Sequence, residues 1–168
     1  MLIGTEMKIL GFDFSVVASS IKDEIKIISS GFLPLGKMMR EFPEPVTKKP
    51  ISIISKWLKA YQVGDFEGLN QVPLHQSGGL FTEKVWREIS KIKAGQTMSY
   101  QELAKRAGNS KAVRAAGTAC GRNNLPLFVP CHRIVPSAGG VGNYAFGEKI
   151  KRTLLKHEHD MLHTQKLT

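Results

Sequence analysis

A cysteine followed directly by a histidine is the pair of side chains in this sequence best suited to nucleophilic chemistry. These residues are Cys131 and His132. A thiolate is the reactive form of cysteine, and a nearby imidazole can lower the pKa of the thiol or accept its proton. On its own such a pair also fits a buried structural thiol, because free cysteines are among the most buried residues. Neighbours on a strand point to opposite faces, so the two side chains need a turn or a bridging water to communicate.

The residues on either side of this pair predict where a buried segment ends. Residues 125–129 form an apolar run interrupted by Pro126, and residues 137–140 read Ser-Ala-Gly-Gly, which is typical of a turn. Pro130 fixes φ and removes a backbone donor immediately before the cysteine. We therefore expect the thiol at the boundary between a buried segment and a loop.

Composition limits the classes of protein that the chain can belong to. With 168 residues, of which 42% are apolar, it can bury a core in one domain or two small ones. Apolar runs are too short to span a membrane, and no signal peptide opens the chain. Two cysteines without a secretory segment favour a reducing, cytoplasmic location.

The net charge of +10 is concentrated in the half of the chain that carries Cys131. Residues 82–168 contain 15 Lys and Arg against 6 Asp and Glu, whereas residues 1–81 contain 9 against 8. A basic surface attracts nucleic acid through the release of counterions. A solvated basic face without a partner is the alternative, and charge alone does not decide between the two.

Several separated motifs resemble the O6-alkylguanine-DNA alkyltransferases, also called methylated-DNA–protein-cysteine methyltransferases. The resemblance extends in order from about Phe81 to Glu158, while residues 1–72 match in general character alone. The motifs are Pro130-Cys131-His132-Arg133-Ile134, Ser99-Tyr100, Arg114-Ala115-Ala116-Gly117, Asn123 and Gly142-Asn143-Tyr144.

The expected fold is α+β, with an N-terminal scaffold domain over residues 1–72, a linker over 73–79 and a C-terminal DNA-binding and alkyl-acceptor domain over 80–168. Strands at 8–12, 15–20 and 24–29 predict a small antiparallel sheet of ribonuclease H-like character, with a turn at Lys22 and Asp23. A loop with little regular structure follows over 34–50. Apolar residues at helical spacing from Ile51 to Tyr61 then predict a covering helix.

The C-terminal domain is expected to be mostly helical and winged-helix-like. Thr82 can cap its first helix, and residues 99–102 fit a capping box that opens the second. Ser110 is predicted to cap a third helix over 111–120, which makes a helix-turn-helix with the second. A last helix is predicted at roughly 148–161, with a disordered tail beyond it.

The resemblance implies a role for each matched side chain near the thiol. Cys131 would attack the alkyl carbon of an O6-alkylguanine. His132 would accept the thiol proton through a water, and Glu158 would orient the imidazole, as in a catalytic triad. Tyr100 would donate to ring N3 of the guanine, and Asn123 would support the loop that carries the thiol.

The resemblance also implies a base pocket and a DNA-binding helix. The carbonyl oxygens of Cys131 and Ile134 and the amide of Ala145 would contact the guanine, beside Tyr144 and Phe146. The phenyl ring of Phe146 stands where many relatives have small residues, which predicts a pocket that admits methyl readily and benzyl poorly.

Arg114 would enter the duplex in place of a flipped base. The second helix of the helix-turn-helix would lie in the minor groove, where small side chains fit. Its DNA-contacting residues would be Lys111, Ala112, Ala115, Gly117 and Arg122.

No cofactor or metal is expected, and the predicted partner of a monomeric protein is double-stranded DNA that contains O6-alkylguanine. The zinc site of some relatives needs cysteines before Cys120, which this chain lacks. His159 and His163 have the spacing of a ligand pair, but no convincing third ligand accompanies them. A damage-binding protein, a Cys-His-Glu hydrolase and a transcriptional regulator are the alternative functions.

Overall fold

A computed structural model describes residues 1–22 and 24–167 of the chain. The chain divides into two compact units, Met1–Gln76 and Ser77–Thr168, and the division falls inside the segment predicted as a linker. The first part of that segment is nevertheless attached to the N-terminal unit. The amide of Ile27 donates to the carbonyl of Pro73 at 2.9 Å, and the amide of His75 donates to the carbonyl of Ile27 at 2.8 Å.

The N-terminal unit contains a four-stranded sheet in the order β3-β2-β1-β4. Its strands are β1 (Leu2–Ile9), β2 (Phe12–Ile21), β3 (Glu24–Gly31) and β4 (Val46–Lys48). The first three pair antiparallel, as predicted, and β4 adds a parallel partner to β1.

The strand predicted at residues 8–12 was wrong, because the β1–β2 hairpin turn lies inside it. Leu10 and Gly11 both have positive φ, 51° and 87°, as a tight two-residue hairpin turn requires. The amide of Leu10 donates to the side chain of Gln62 at 3.0 Å. Of the turn predicted at Lys22 and Asp23, Asp23 lies outside the described residues.

The segment predicted as an irregular loop, 34–50, contains regular structure. It includes the short helix α1 (Leu35–Met38), a 3-10 turn (Met39–Glu41) and strand β4. The amide of Leu35 donates to the carboxylate of Glu6, and Leu35 and Met38 pack in an apolar cluster with Val17 and Val46. Pro and Gly residues in this segment are typical of a loop, and a helix of four residues is too short to show helical spacing of apolar side chains.

The predicted covering helix is present as α2 (Ser52–Gln62), which contacts β1. It buries Ile54, Leu58 and Tyr61 at helical spacing. Trp57 packs so closely on Gly68 that a Cβ at the glycine would overlap the indole ring.

The C-terminal unit is mostly helical, so the predicted α+β class is confirmed. Two short parallel strands, β5 (Met98–Ser99) and β6 (Ile134–Val135), bring the start of helix α4 (Tyr100–Arg106) beside the segment that follows Cys131. The elements are α3 (Leu80–Ile89), β5 (Met98–Ser99), α4 (Tyr100–Arg106), α5 (Val113–Gly121), a 3-10 turn (Cys131–Arg133), β6 (Ile134–Val135) and α6 (Glu148–Lys166).

Helix ends in this unit agree with the sequence where a side chain caps the backbone and differ elsewhere. Ser99 Oγ accepts from the amide of Glu102 at 3.1 Å, as the capping box predicts. The predicted caps Thr82 and Ser110 were wrong, since α3 begins after Gly79 and α5 begins after Ala112, without side-chain caps. Helix α6 continues to Lys166, five residues beyond the predicted end and into the predicted tail.

Among residues 1–22 and 24–167, no helix is both long enough and apolar enough to span a bilayer.

Candidate active site around Cys131

Cys131 begins a 3-10 turn inside a buried stretch that extends from residue 125 to residue 134. The prediction that the thiol marks the boundary between a buried segment and a loop was wrong, because the 3-10 turn and β6 follow and the exposed loop begins only at residue 137. Its side chain is almost fully buried. Because a turn replaces a strand here, the alternation that would separate the side chains of Cys131 and His132 does not apply. Leu127, in the preceding segment, has a φ of +75°, which is rare for a branched side chain and marks local strain.

Asn123 holds the segment that carries the thiol. Its Nδ2 donates to the carbonyl of Val129 at 2.8 Å and to Cys131 Sγ at 3.3 Å, and its Oδ1 accepts from the amide of Leu125 at 3.0 Å. One side chain therefore connects both ends of residues 125–129 and contacts the sulfur. Burial raises the pKa of the Cys131 thiol, and the Asn123 hydrogen bond and the Lys151 charge counteract part of that rise.

His132 and Glu158 form a buried pair on the other side of the turn. His132 Nε2 lies 2.7 Å from Glu158 Oε1, and both side chains are essentially inaccessible to solvent. Burial works against the charge of Glu158. Its interactions with His132 and with Arg133 outweigh burial and hold its pKa well below the ordinary value of 4.5.

Arg133 clamps the same carboxylate from a second direction. Its Nε donates to Glu158 Oε2 at 3.0 Å, its Nη2 donates to Oε1 at 2.9 Å, and its Nη1 donates to the carbonyl of Ile92 at 2.6 Å. This is the two-pronged geometry in which guanidinium and carboxylate match best. Glu158 is therefore an ionised acceptor that His132 must face with an N–H group.

The protonation of His132 follows from this arrangement. Burial lowers the pKa of His132, against the pull of Glu158, so the ring is neutral near pH 7. A neutral ring that donates through Nε2 carries its lone pair on Nδ1. Nδ1 is buried and has no hydrogen-bond partner among residues 1–22 and 24–167. The ring thus carries an unpartnered basic nitrogen in the residue that follows a thiol whose pKa burial raises.

A cavity of about 230 Å³ opens beside Cys131. Tyr144 and Phe146, both in its lining, contact each other edge to face with ring centroids 5.7 Å apart. The hydroxyl of Tyr144 is buried and lacks a partner within the described part of the chain. The cavity is lined by Tyr100, Gly117, Cys120, Gly121, Asn123, Pro126, Cys131, Asn143, Tyr144, Ala145 and Phe146.

Tyr100 stands at the start of α4, where the Ser99 cap and the β5–β6 pairing fix it against the cavity. Burial, with a smaller effect of the two cysteines, raises its pKa to about 12. Its hydroxyl therefore remains a proton donor through neutral and mildly alkaline pH. Gly117 of α5 faces its ring, since a Cβ there would lie 3.9 Å from Tyr100 Cδ1.

The predicted DNA-contacting residues lie on the outside of α5 and around its ends. Arg114, Lys111, Ala115 and Arg122 are exposed and Ala112 is half-buried, whereas Gly117 belongs to the cavity lining. The indole Nε1 of Trp86 donates to the carbonyl of Ala119 at 2.8 Å and fixes α5 against α3. Arg114 does not line the cavity.

Two buried cations of this site were missed by sequence reasoning. Arg133 lies in a motif of the resemblance that implied no role for its side chain, and its partner Glu158 is 25 residues away in the sequence. Lys151 is almost fully buried, and its Nζ donates to the carbonyls of Ile134 at 2.6 Å and Asn143 at 3.2 Å. No local signal distinguishes Lys151, which sits in a charged stretch typical of a solvated helix. Ile134, predicted to offer its carbonyl to the base, therefore already accepts one hydrogen bond.

The His159 and His163 rings stack with centroids 3.9 Å apart, and His163 Nδ1 lies 2.8 Å from the carbonyl of His159. Within residues 1–22 and 24–167, no group of three His, Cys, Asp or Glu side chains is placed to hold a metal ion.

Comparisons with known proteins agree on one family. Residues 80–160 match the family described as 6-O-methylguanine DNA methyltransferase, DNA binding domain. The human methylated-DNA–protein-cysteine methyltransferase is 36% identical over 146 residues, which cover 80% of this chain and 69% of the human protein. The mouse protein of the same name is 40% identical over 123 residues, and this match spans 58% of its length.

Solved structures give the same picture over nearly the whole chain. The Mycobacterium tuberculosis O6-methylguanine methyltransferase superposes with a TM-score of 0.80 at 26% identity and covers 96% of this chain and 94% of its own. The M. tuberculosis OGT in complex with DNA has a TM-score of 0.76 at 27% identity, over 95% of this chain and 94% of that chain.

Proposed function

The chain belongs to the family of methylated-DNA–protein-cysteine methyltransferases, enzymes of DNA repair that transfer an alkyl group to a cysteine, and we propose that Cys131 is the acceptor here. The substrate is O6-alkylguanine, mainly O6-methylguanine, in double-stranded DNA. The single observation that carries the proposal is a buried thiol that lines a cavity and precedes a histidine held by an ionised carboxylate.

The thiol needs a base, because burial raises its pKa and keeps it protonated at neutral pH. His132 Nδ1 is the unpartnered base next in sequence, and a water can carry the proton between the two groups. Glu158 stabilises the imidazolium that forms, and Arg133 keeps Glu158 ionised. The sulfur then attacks the alkyl carbon in line, the bond from that carbon to O6 breaks, and guanine leaves with the electron pair.

Contacts to the leaving guanine come from the lining of the cavity. The Tyr100 hydroxyl donates a proton toward ring N3 and offsets the negative charge that develops on the purine. The amide of Ala145 donates toward O6, and the carbonyls of Cys131 and Ile134 accept from the exocyclic amino group. A carbonyl has two lone pairs, so Ile134 can serve both the base and Lys151.

A base inside a duplex cannot reach this thiol, so the target nucleotide must leave the stack. Helix α5 offers small residues for close approach to the minor groove, and the exposed Arg114 fills the space that the flipped base vacates. Lys111 and Arg122 supply charge for the phosphates. Few base-reading side chains are available on α5, so binding is nearly independent of sequence, unlike that of a transcriptional regulator.

The product is a thioether on Cys131, which water does not cleave at a useful rate. Cys120 cannot reverse it, because a thiol exchanges with disulfides and not with thioethers. Each molecule therefore acts once. In this proposal the protein is a cytoplasmic monomer that uses no cofactor.

Intact-protein mass measurement after incubation with duplex DNA that contains O6-methylguanine tests this proposal. We expect a gain of one methyl group per molecule, located on Cys131 by peptide mapping and absent in Cys131→Ser. Release of more than one equivalent of product would indicate a hydrolase instead. Binding of the damaged duplex without a gain in mass would indicate a damage-recognition protein.

A further inference from the structure

The two cysteines of the chain line the same cavity, although they are eleven positions apart and on different elements. Cys120 belongs to α5, the helix proposed to face DNA, and Cys131 belongs to the 3-10 turn. Both thiols are free. The proposed reaction uses one sulfur and leaves the other facing the space where the alkyl group is delivered.

The two thiols that share this lining also interact electrostatically. Burial and, to a smaller extent, the interaction with Cys131 raise the pKa of Cys120 to about 12, and Lys151 opposes that rise. The hydroxyl of Tyr144, buried and without a partner among the described residues, lies in the same lining. The cavity lining therefore contains one buried hydroxyl group and two nucleophilic sulfur atoms.

We propose that Cys120 is a second acceptor, which captures the far carbon of a 2-haloethyl group after Cys131 has taken the near one. The substrate class is O6-(2-haloethyl)guanine in DNA. This inference rests on the proposed function, because the first transfer must deliver the group to Cys131.

The chemistry proceeds in three balanced steps. First, the Cys131 thiolate attacks the carbon bound to O6, and guanine leaves, which gives a 2-haloethyl thioether. Second, the thioether sulfur displaces the halide from the far carbon, which gives a three-membered episulfonium cation and a halide ion. Third, Cys120 sulfur attacks a ring carbon, the strained C–S bond breaks, and the thiol proton goes to solvent. The product is an ethylene bridge between two thioether sulfurs.

A thiol with a raised pKa can do this although it would not attack an ordinary alkyl group. The episulfonium is a strong electrophile, and its positive charge favours loss of the Cys120 proton as the new bond forms. Aromatic and proline side chains in the lining limit the water that competes for the cation. Cys120 is fixed in the same cavity as the episulfonium, so its high effective concentration favours attack by this thiol over attack by water.

The experiment uses the full chain and duplex DNA treated with a 2-chloroethylnitrosourea, freed of reagent by gel filtration and used at once. We expect an intact-mass gain of C2H2, which is one ethylene minus two hydrogens, and a peptide map that joins the Cys120 and Cys131 peptides. Both sulfurs should then resist iodoacetamide after denaturation. In Cys120→Ser, the expected products are 2-hydroxyethyl-Cys131 and a covalent protein–DNA adduct.

A wild-type product that carries 2-hydroxyethyl or DNA on Cys131, with Cys120 still open to iodoacetamide, would overturn the inference. A parallel arm with O6-methylguanine DNA separates this failure from failure of the proposed function. Methyl gain on Cys131 without bridging would remove the second acceptor alone, whereas no methyl gain would remove the first transfer itself.

Discussion

Replacement of Arg133 by lysine keeps the positive charge beside Glu158 and removes the two-pronged contact. The guanidinium makes three hydrogen bonds, two to the carboxylate and one to the carbonyl of Ile92, and an ammonium group in its place can keep one of them. A hydrogen bond to a charged group contributes about 1.5–3 kcal/mol. Two lost bonds therefore predict a destabilisation of about 3–6 kcal/mol.

The tryptophans allow this loss to be measured in the unit where it occurs. Trp57 belongs to the N-terminal unit and Trp86 to the C-terminal unit, so a Trp57→Phe background reports C-terminal unfolding alone. Arg152→Lys is the matched control, because Arg152 pairs with Glu148 at 2.6 Å while both side chains are more than half exposed. Such a surface pair contributes about 0–1 kcal/mol. Equal urea midpoints for the two variants would refute the reasoning.

The pH dependence supplies a second readout. Glu158 has a lowered pKa, so its ion pair stabilises the folded state above the ordinary value of 4.5, and this stabilisation is lost as the pH falls through the lowered pKa. His132 must be neutral to accept a proton, so the transfer rate should fall only below pH 6.5. Arg133 and Lys151 are cations that both lower the pKa of His132. Arg133→Met removes one of them, so the fall of the transfer rate at acid pH should begin at a higher pH. Arg133→Lys should leave this fall in place, and coincident falls in all three proteins would contradict the assignment.

Three further predictions concern the cavity and the helix beside it. Phe146→Gly should increase inactivation by free O6-benzylguanine about tenfold or more relative to O6-methylguanine, because the phenyl ring of the benzyl group could then be buried in the pocket, which contributes about 1.5–3 kcal/mol. Potent inactivation of the unchanged protein by the benzyl compound would count against a narrow pocket. Tyr100→Phe should lower the single-turnover rate by about 10²–10³ without loss of folding, as removal of one preorganised donor does, and an unchanged rate would exclude its hydroxyl as the donor. Arg114→Ala should slow transfer from duplex DNA more than transfer from the free base, and equal slowing of both would argue against a role in base extrusion.

Sequence alone predicted the features of this fold that depend on local chemistry. Ser99 and Glu102 specify a helix start because one hydroxyl satisfies a backbone amide three residues later. Ile54, Leu58 and Tyr61 specify the buried face of α2 through their spacing. These signals lie within a few residues of each other, so no tertiary information is needed to interpret them.

Predictions failed where a turn or a helix end has no side-chain marker. Leu10 adopts a left-handed backbone that glycine or asparagine usually supplies, so the β1–β2 hairpin resembled the interior of an apolar strand. Thr82 and Ser110 are good caps in composition, yet α3 and α5 begin elsewhere and leave these side chains unused. Both helices therefore begin without a side-chain cap.

The candidate site was predicted in its reactive residues and missed in its buried cations. Cys131, His132 and Glu158 could be named because the motifs of the family identify them. The partners of Arg133 and Lys151 are a carboxylate on α6 and carbonyls on other segments, and sequence gives no measure of those distances. Charged side chains are rarely buried unless they are paired, so the burial of Arg133 and Lys151 becomes visible only in the folded structure.

The ammonium group of Lys151 donates hydrogen bonds to backbone carbonyls both before and after the exposed stretch 137–140. Ile134 and Asn143 are thereby tethered to one point on α6, whatever path the chain takes between them. The tip of this excursion should consequently accept added residues, or a cut in the backbone, while both anchored ends stay where they are.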